Sequence, residues 1–390
     1  MKKLAITSVL SAIALSASAA PLVTIGDQMD IFFRGAVMGS YNSNITYAHG
    51  NKLDDYAGTL RLGGELDYGR TSKFKANIKM YEDMTKYADE RAFNSNLGHI
   101  KATASYVESS WKVNANFSFD QCKQNSADTL DANMNKELVN YNVWRAGING
   151  SYDFSEKVYG TIGFNWEEYE YIHKWEDIYT SYGTYSVPMS ILYRVTQKVA
   201  VGLSYQYRYT DILDGNPGNI AAFGDARKDN FIGLTVNGEI APKLTCEAYI
   251  GAQNRSYNNS YVYTSSDWTM AMNITLGYEV SEKMGVYLKA ARDFGTSASN
   301  YSQENTSCEM GVNYYINPKV VANASLRYEY SKYDGIDRAD DTIWARVGVS
   351  YIPNKFVTLG LSYNYLNNDS DEVRAVYNQH YISFEASLRY

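Results

Sequence analysis

The chain has few of the residues that punctuate or staple soluble folds: 6 Pro, 3 Cys and 4 His among 390 residues. Three cysteines make no disulfide framework. Cys246 and Cys308 fall at apolar positions of strands not expected to be neighbours, and Cys122 is expected in a loop. Four scattered histidines leave little for acid–base or metal chemistry. No zinc-type spacing, phosphate-cradling glycine loop or cofactor motif occurs, so no catalytic residue, metal ligand or cofactor is expected. His173 with Glu176 and Asp177 comes nearest to such a site and reads as a hydrated loop cluster. A barrel hydrolase would need a histidine in contact with Ser or Asp. Excess positive charge is also missing. Without Lys2 and Lys3 the chain carries 34 basic against 43 acidic side chains, which argues against a nucleic-acid partner. After the first twenty residues no run approaches 18 apolar residues, and the mean hydropathy of −0.40 excludes a helical membrane protein.

The opening residues form a targeting segment. Lys2 and Lys3 precede an apolar stretch from Leu4 to Ser18, and Ala17-Ser18-Ala19 supplies the small-x-small cleavage pattern. Residues 1–19 are therefore expected to be a signal peptide removed near Ala19 after Sec export, leaving residues 20–390 as one domain.

What the chain has is alternation. Val199, Val201, Leu203, Tyr205, Tyr207 and Tyr209 interleave with Ala200, Gly202, Ser204, Gln206, Arg208 and Thr210. The same period of two recurs at 272–280, 357–365 and elsewhere, giving 18 runs, most of 10 to 15 residues. Ordinary strands average about 5–6 residues, whereas a tilted membrane-crossing strand needs about 9–11. Length excludes a soluble sandwich or propeller. Turn lysines at 73, 112, 157, 198, 243, 283, 319 and 355 mark one short connection about every 40 residues. Longer polar segments (83–97, 121–138, 211–228, 367–376) lie between them. Short turns at one rim and long loops at the other are the asymmetry of a transmembrane antiparallel β-barrel. The expected fold is all-β, with about 18 strands and 16 as the alternative count. The apolar face must meet lipid and the polar face must enclose the lumen.

Under that orientation the lumen-lining candidates are Arg34, Arg61, Glu65, Lys79, Lys101, Arg145, Arg208, Lys289, Arg327, Glu329 and Arg346. Hairpin symmetry sets Lys79 opposite Lys101 and Arg327 opposite Arg346. Such cations would give a weak preference for anions, unless Glu65, Glu329 and Asp293 tie them into an internal salt-bridge network. Acidic loop clusters at Asp337, Asp340 and Asp341, and at Asp369, Asp371 and Glu372, could hold divalent cations at the lipopolysaccharide surface or simply keep the loops hydrated.

The last strand, Ile382, Phe384, Ala386, Leu388, Tyr390, ends on an aromatic residue. It resembles the terminal signal that the barrel-assembly machinery recognises in Gram-negative outer-membrane proteins, with Phe384, Leu388 and Tyr390 carrying it. The alternation over the mature chain resembles Gram-negative porins, and Val23-Thr24-Ile25-Gly26-Asp27-Gln28 leading into Ile31-Phe32-Phe33 is similar to the beginning of barrels of the beta-barrel porin 2 kind. That resemblance implies an outer-membrane channel for passive diffusion of small hydrophilic solutes. It also admits a homotrimer, and partners in outer-membrane lipid, lipopolysaccharide and the assembly machinery. The alternative is a structural or adhesive barrel with a closed lumen, for which loops 121–138 and 211–228 would fold inward.

Overall fold

The computed structural model describes residues 20–263 and 266–390, so the expected signal segment lies outside the described residues. Eighteen strands of 13 to 16 residues, from Met29–Asn42 to Tyr377–Arg389, form one antiparallel sheet in sequence order. The sheet closes because Tyr377–Arg389 pairs with Met29–Asn42, from Tyr381 opposite Asn42 to Arg389 opposite Arg34. Closure leaves no edge, which hydrocarbon demands because it offers unpaired backbone groups no partner. A three-residue strand, Val23–Ile25, pairs with Met29–Ile31 and covers the part of the seam that the chain end does not reach. Above it, Phe33 and Tyr390 exchange both backbone hydrogen bonds, at 2.6 and 3.0 Å.

The expected orientation holds. Val37, Leu60, Ile162, Leu203, Leu234, Met310, Leu361 and Phe384 stand outward and are 40 to 65% exposed, although they are apolar. A contiguous apolar belt of this extent is a surface for lipid. No helix of the described residues is long and apolar enough to cross a membrane, so the strands do the crossing.

The turns explain the recurring lysines. Pro242-Lys243, Glu282-Lys283 and Pro318-Lys319 are two-residue connections, each beside a register shift in its hairpin. Lys243 adopts φ +66°, a left-handed conformation that closes the hairpin behind the proline. At this rim neighbouring turns are tied by Lys73–Glu108 and Lys198–Glu239, both 2.6 Å.

Strands extend further into the expected loops than alternation revealed. Phe74–Tyr87 and Ser95–Val107 leave only 88–94 between them, and Cys122 lies within Trp111–Lys123 rather than in a loop. Polar residues at the strand ends hide the period there, since both faces are wet. The first acidic cluster is likewise divided by the pleat. Asp340 turns inward onto Arg338, while Asp341 accepts from the outward Tyr328 hydroxyl.

Candidate functional site: the lumen and its outer mouth

The inward face is polar, and its charges are mostly paired. Glu65 is the hub of one group: its carboxylate takes Arg34 at 2.5 Å and Arg389 at 2.9 Å, with Lys79 at 3.8 Å and Asn77 at 2.8 Å. Beside it Arg61 grips both oxygens of Asp83 at 2.6 and 2.7 Å and lies 4.6 Å over the Tyr81 ring. Lys101 reaches Asp120 at 3.8 Å, Arg145 pairs with Glu167, and Arg327 pairs with Glu329. Arg208 holds Asp229 and Asp293, each at 2.7 Å. The internal network anticipated through Glu65, Glu329 and Asp293 is therefore present. It fixes strand neighbours and leaves fewer free cations than the composition of the face suggests. Of the expected lining residues, Lys289 and Arg346 enter no ion pair among the described residues; Lys289 lies 5.4 Å from the Tyr287 ring centre, and Arg346 donates to Asn364 at 2.5 Å.

Lys79 does face Lys101 in register. The other expected pair does not form: Arg327 stands opposite Trp344 and Arg346 opposite Ser325. The centre of that hairpin lies one residue earlier than symmetry about the loop placed it, so the two cations are diagonal neighbours.

Histidines do not assemble a reactive site. His99 donates from Nδ1 to Asp120 at 2.8 Å, approaches Asp83 at 3.9 Å and stacks on Tyr81 at 4.8 Å. Both ring nitrogens thus meet carboxylates, and among the described residues no Ser, Thr or Cys side chain bonds a histidine ring. No group of three His, Cys, Asp or Glu among the described residues could hold a metal ion.

The outer mouth carries the least expected feature. Both clusters of buried apolar side chains lie at the mouth, where the loops meet, rather than in the barrel wall. One joins Ala132, Val139, Trp175, Tyr179 and Ala298, and the other Ile45, Phe93 and Leu138. Residues 124–139, with a short helix at Leu130–Asn135, cross from strand Trp111–Lys123 to the opposite wall. There the Asp128 carboxylate takes Gln303 at 3.2 Å and the Tyr333 hydroxyl, and Arg338 lies 3.8 Å away. These partners sit on strands nine to eleven places further round the ring of eighteen. The segment therefore spans the diameter of the mouth.

A second inward element supports it. The ladder between Asp267–Ser281 and Met284–Thr296 stops at Met272–Arg292, and the hairpin beyond it leans over the lumen. Arg255 donates to the Gly295 carbonyl at 2.7 Å, Arg227 to Asn300 Oδ1 at 2.7 Å, and the Ala298 carbonyl accepts from Thr180 at 2.7 Å. Loop 211–228, the other expected fold-in segment, joins through Asn300, whose side chain donates to the Gly224 carbonyl at 2.9 Å.

Sequence reading missed Asp128, Arg227, Asp229, Arg255 and Arg338, and placed Asp340 in an acidic loop cluster rather than on Arg338. Arg227, Asp229 and Arg255 share the inward parity of their strands, a signal that could have been followed. Nothing local marks Asp128.

A closed 18-strand wall with a lipid-facing apolar belt, a polar interior and long loops at one rim defines a transmembrane antiparallel β-barrel. Among known proteins, residues 232–390, less than half of the chain, match the family described as "Putative beta-barrel porin 2". No curated protein matches the sequence. Solved structures that match include the outer membrane protein OpdK of Pseudomonas aeruginosa, at 11% identity over 93% of this chain and 99% of that one, with a TM-score of 0.49. OccAB3 of Acinetobacter baumannii matches at 10% identity over 94% and 100%, TM-score 0.47. The FrpB iron transporter of Neisseria meningitidis matches at 9% over 87% and 62%, TM-score 0.45.

Proposed function

We propose that the protein is a passive channel for small hydrophilic solutes whose entry is restricted at the outer mouth. The observation that carries this reading is the division of the wall: apolar side chains outward, ion pairs, amides and hydroxyls inward, around a ring of eighteen strands. Rings of that size enclose more space than their own side chains fill. Segment 124–139 then sets which solutes pass, because it lies across the opening.

A weak preference for anions is part of the proposal and rests on Lys289 and Arg346, the expected lining cations that enter no ion pair among the described residues. Residues 1–19 are proposed to direct Sec export and to be removed afterwards near Ala19. Membrane insertion is proposed to depend on Phe384, Leu388 and Tyr390, read by the assembly machinery at the end of the last strand, with lipopolysaccharide surrounding the finished barrel.

The packed loops also favour a second reading, a surface barrel whose lumen stays shut. Planar-bilayer recording separates the two. Stepwise conductance from the purified protein supports the channel. Silence from both the intact chain and a variant lacking residues 126–136 removes it.

A further inference from the structure

We propose that segment 124–139 is an acid-closed latch: Asp128 and Asp340 share the single guanidinium of Arg338, and neutralising Asp128 tightens the strap across the mouth. The proposal rests on the channel reading above and adds its regulation.

The two ends of the segment are held by different forces. The near end, through Ala132 and Val139, packs on Trp175 and Tyr179, and Ala132 N–H donates to the Tyr179 hydroxyl at 3.1 Å. The far end is held by polar groups. Arg338 gives its fork to Asp340, at 2.9 and 2.5 Å, and only its outer nitrogen faces Asp128, at 3.8 Å. The same guanidinium donates to the Ala127 carbonyl at 3.0 Å. The Tyr333 hydroxyl lies between the two carboxylates, bonding Asp128 and standing 3.0 Å from Asp340.

Every element packed there contributes to the charge count. Gln303 from the leaning hairpin is neutral, and Ser370 donates to Asp340 at 2.5 Å. Glu372 is already paired with Arg374 at 2.7 Å, and Asp131 lies on the segment's own helix. With Asp128 ionised, two carboxylates therefore compete for one cation in a partly dehydrated corner, where Asp340 keeps 2% and Asp128 22% side-chain exposure. Like charges held that close favour protonation of one of them.

Burial, reinforced by Asp340, pushes the Asp128 carboxyl above the ordinary aspartate value while the latch is shut. Released into water, the same carboxyl returns to that value. The shut state then binds the proton more tightly, so acid favours closure and rising pH favours opening. The ratio of shut to open should change by up to about tenfold for each pH unit separating the two carboxyl values.

The test uses the full-length protein in planar bilayers between pH 4.5 and 8, beside Asp128→Asn and the 126–136 deletion. The open fraction of the wild type should fall with acid, while both variants lose that dependence. Acid-induced opening, or identical pH profiles in wild type and D128N, overturns the latch. A second readout separates this failure from failure of the channel itself. Spin labels at Asn135→Cys and Asp337→Cys, in a chain whose three native cysteines are replaced by serine, report the span in detergent without any conductance. One narrow distance at pH 5 that broadens at pH 8 supports the latch, and an unchanged distribution sinks it.

Discussion

Arg255 and Asp229 form a two-pronged ion pair at 2.7 and 2.8 Å with 1 and 2% of their side chains exposed, on adjacent strands beneath the mouth. Arg208 approaches the same carboxylate from the other side. A buried charge without its partner is far costlier than the pair itself is stabilising. Arg255→Ala should therefore cost about 3–5 kcal/mol, visible as a lower urea midpoint for refolded barrel. Because Arg255 also holds the Gly295 carbonyl, the leaning hairpin should become protease-sensitive before the wall unfolds. Full stability in the variant would mean that the pair is incidental.

The outward belt predicts a depth-dependent penalty. Leu234 is 65% exposed and lies midway along Ala226–Ala241, beside Ile250 of the next strand. Replacing it with Arg should cost about 2–4 kcal/mol in a bilayer. An inward, water-facing change such as Ser204→Arg on the neighbouring strand should cost much less. Equal costs would place the lipid on the wrong face.

Arg346 offers a test of selectivity. Arg346→Ala should lower the anion-to-cation permeability ratio, measured as a shifted reversal potential under a salt gradient. Arg61→Ala should move it less in that direction, because Arg61 is already neutralised by Asp83 and its loss leaves that carboxylate unpaired. Unchanged potentials in both would remove the anion preference while leaving the channel intact.

The cap can be tested apart from the wall. Trp175 keeps 2% exposure at the centre of the apolar cluster under residues 124–139. Trp175→Ala should weaken that packing by about 3–5 kcal/mol, a scale typical of buried aromatic truncation. Its expected signature is larger current fluctuation with unaltered heat-resistant migration on gels. Loss of the barrel band would show that loops and wall are one cooperative unit.

Much of this architecture was legible before any coordinates. Strand count, orientation and the lysine-marked turns follow from a period of two, which the pleat imposes on every residue between one rim and the other. Lys79 against Lys101 followed from the same arithmetic because their connecting loop is nearly symmetric. Arg327 against Arg346 failed by one residue of loop centre, since only backbone geometry decides where a hairpin folds. Cys122 was misplaced for a related reason: above the membrane both faces are wet and the alternation fades.

The sequence by itself determined a closed barrel with a greasy exterior, because alternating hydrophobicity over strands of this length permits little else. Only the tertiary structure decided that Asp128 crosses the mouth to meet Tyr333 and Arg338, and that most interior cations are neutralised. Those contacts join residues far apart in the chain through side chains of no fixed period. They are set by the diameter of the ring and the lean of one hairpin, which local pattern does not encode.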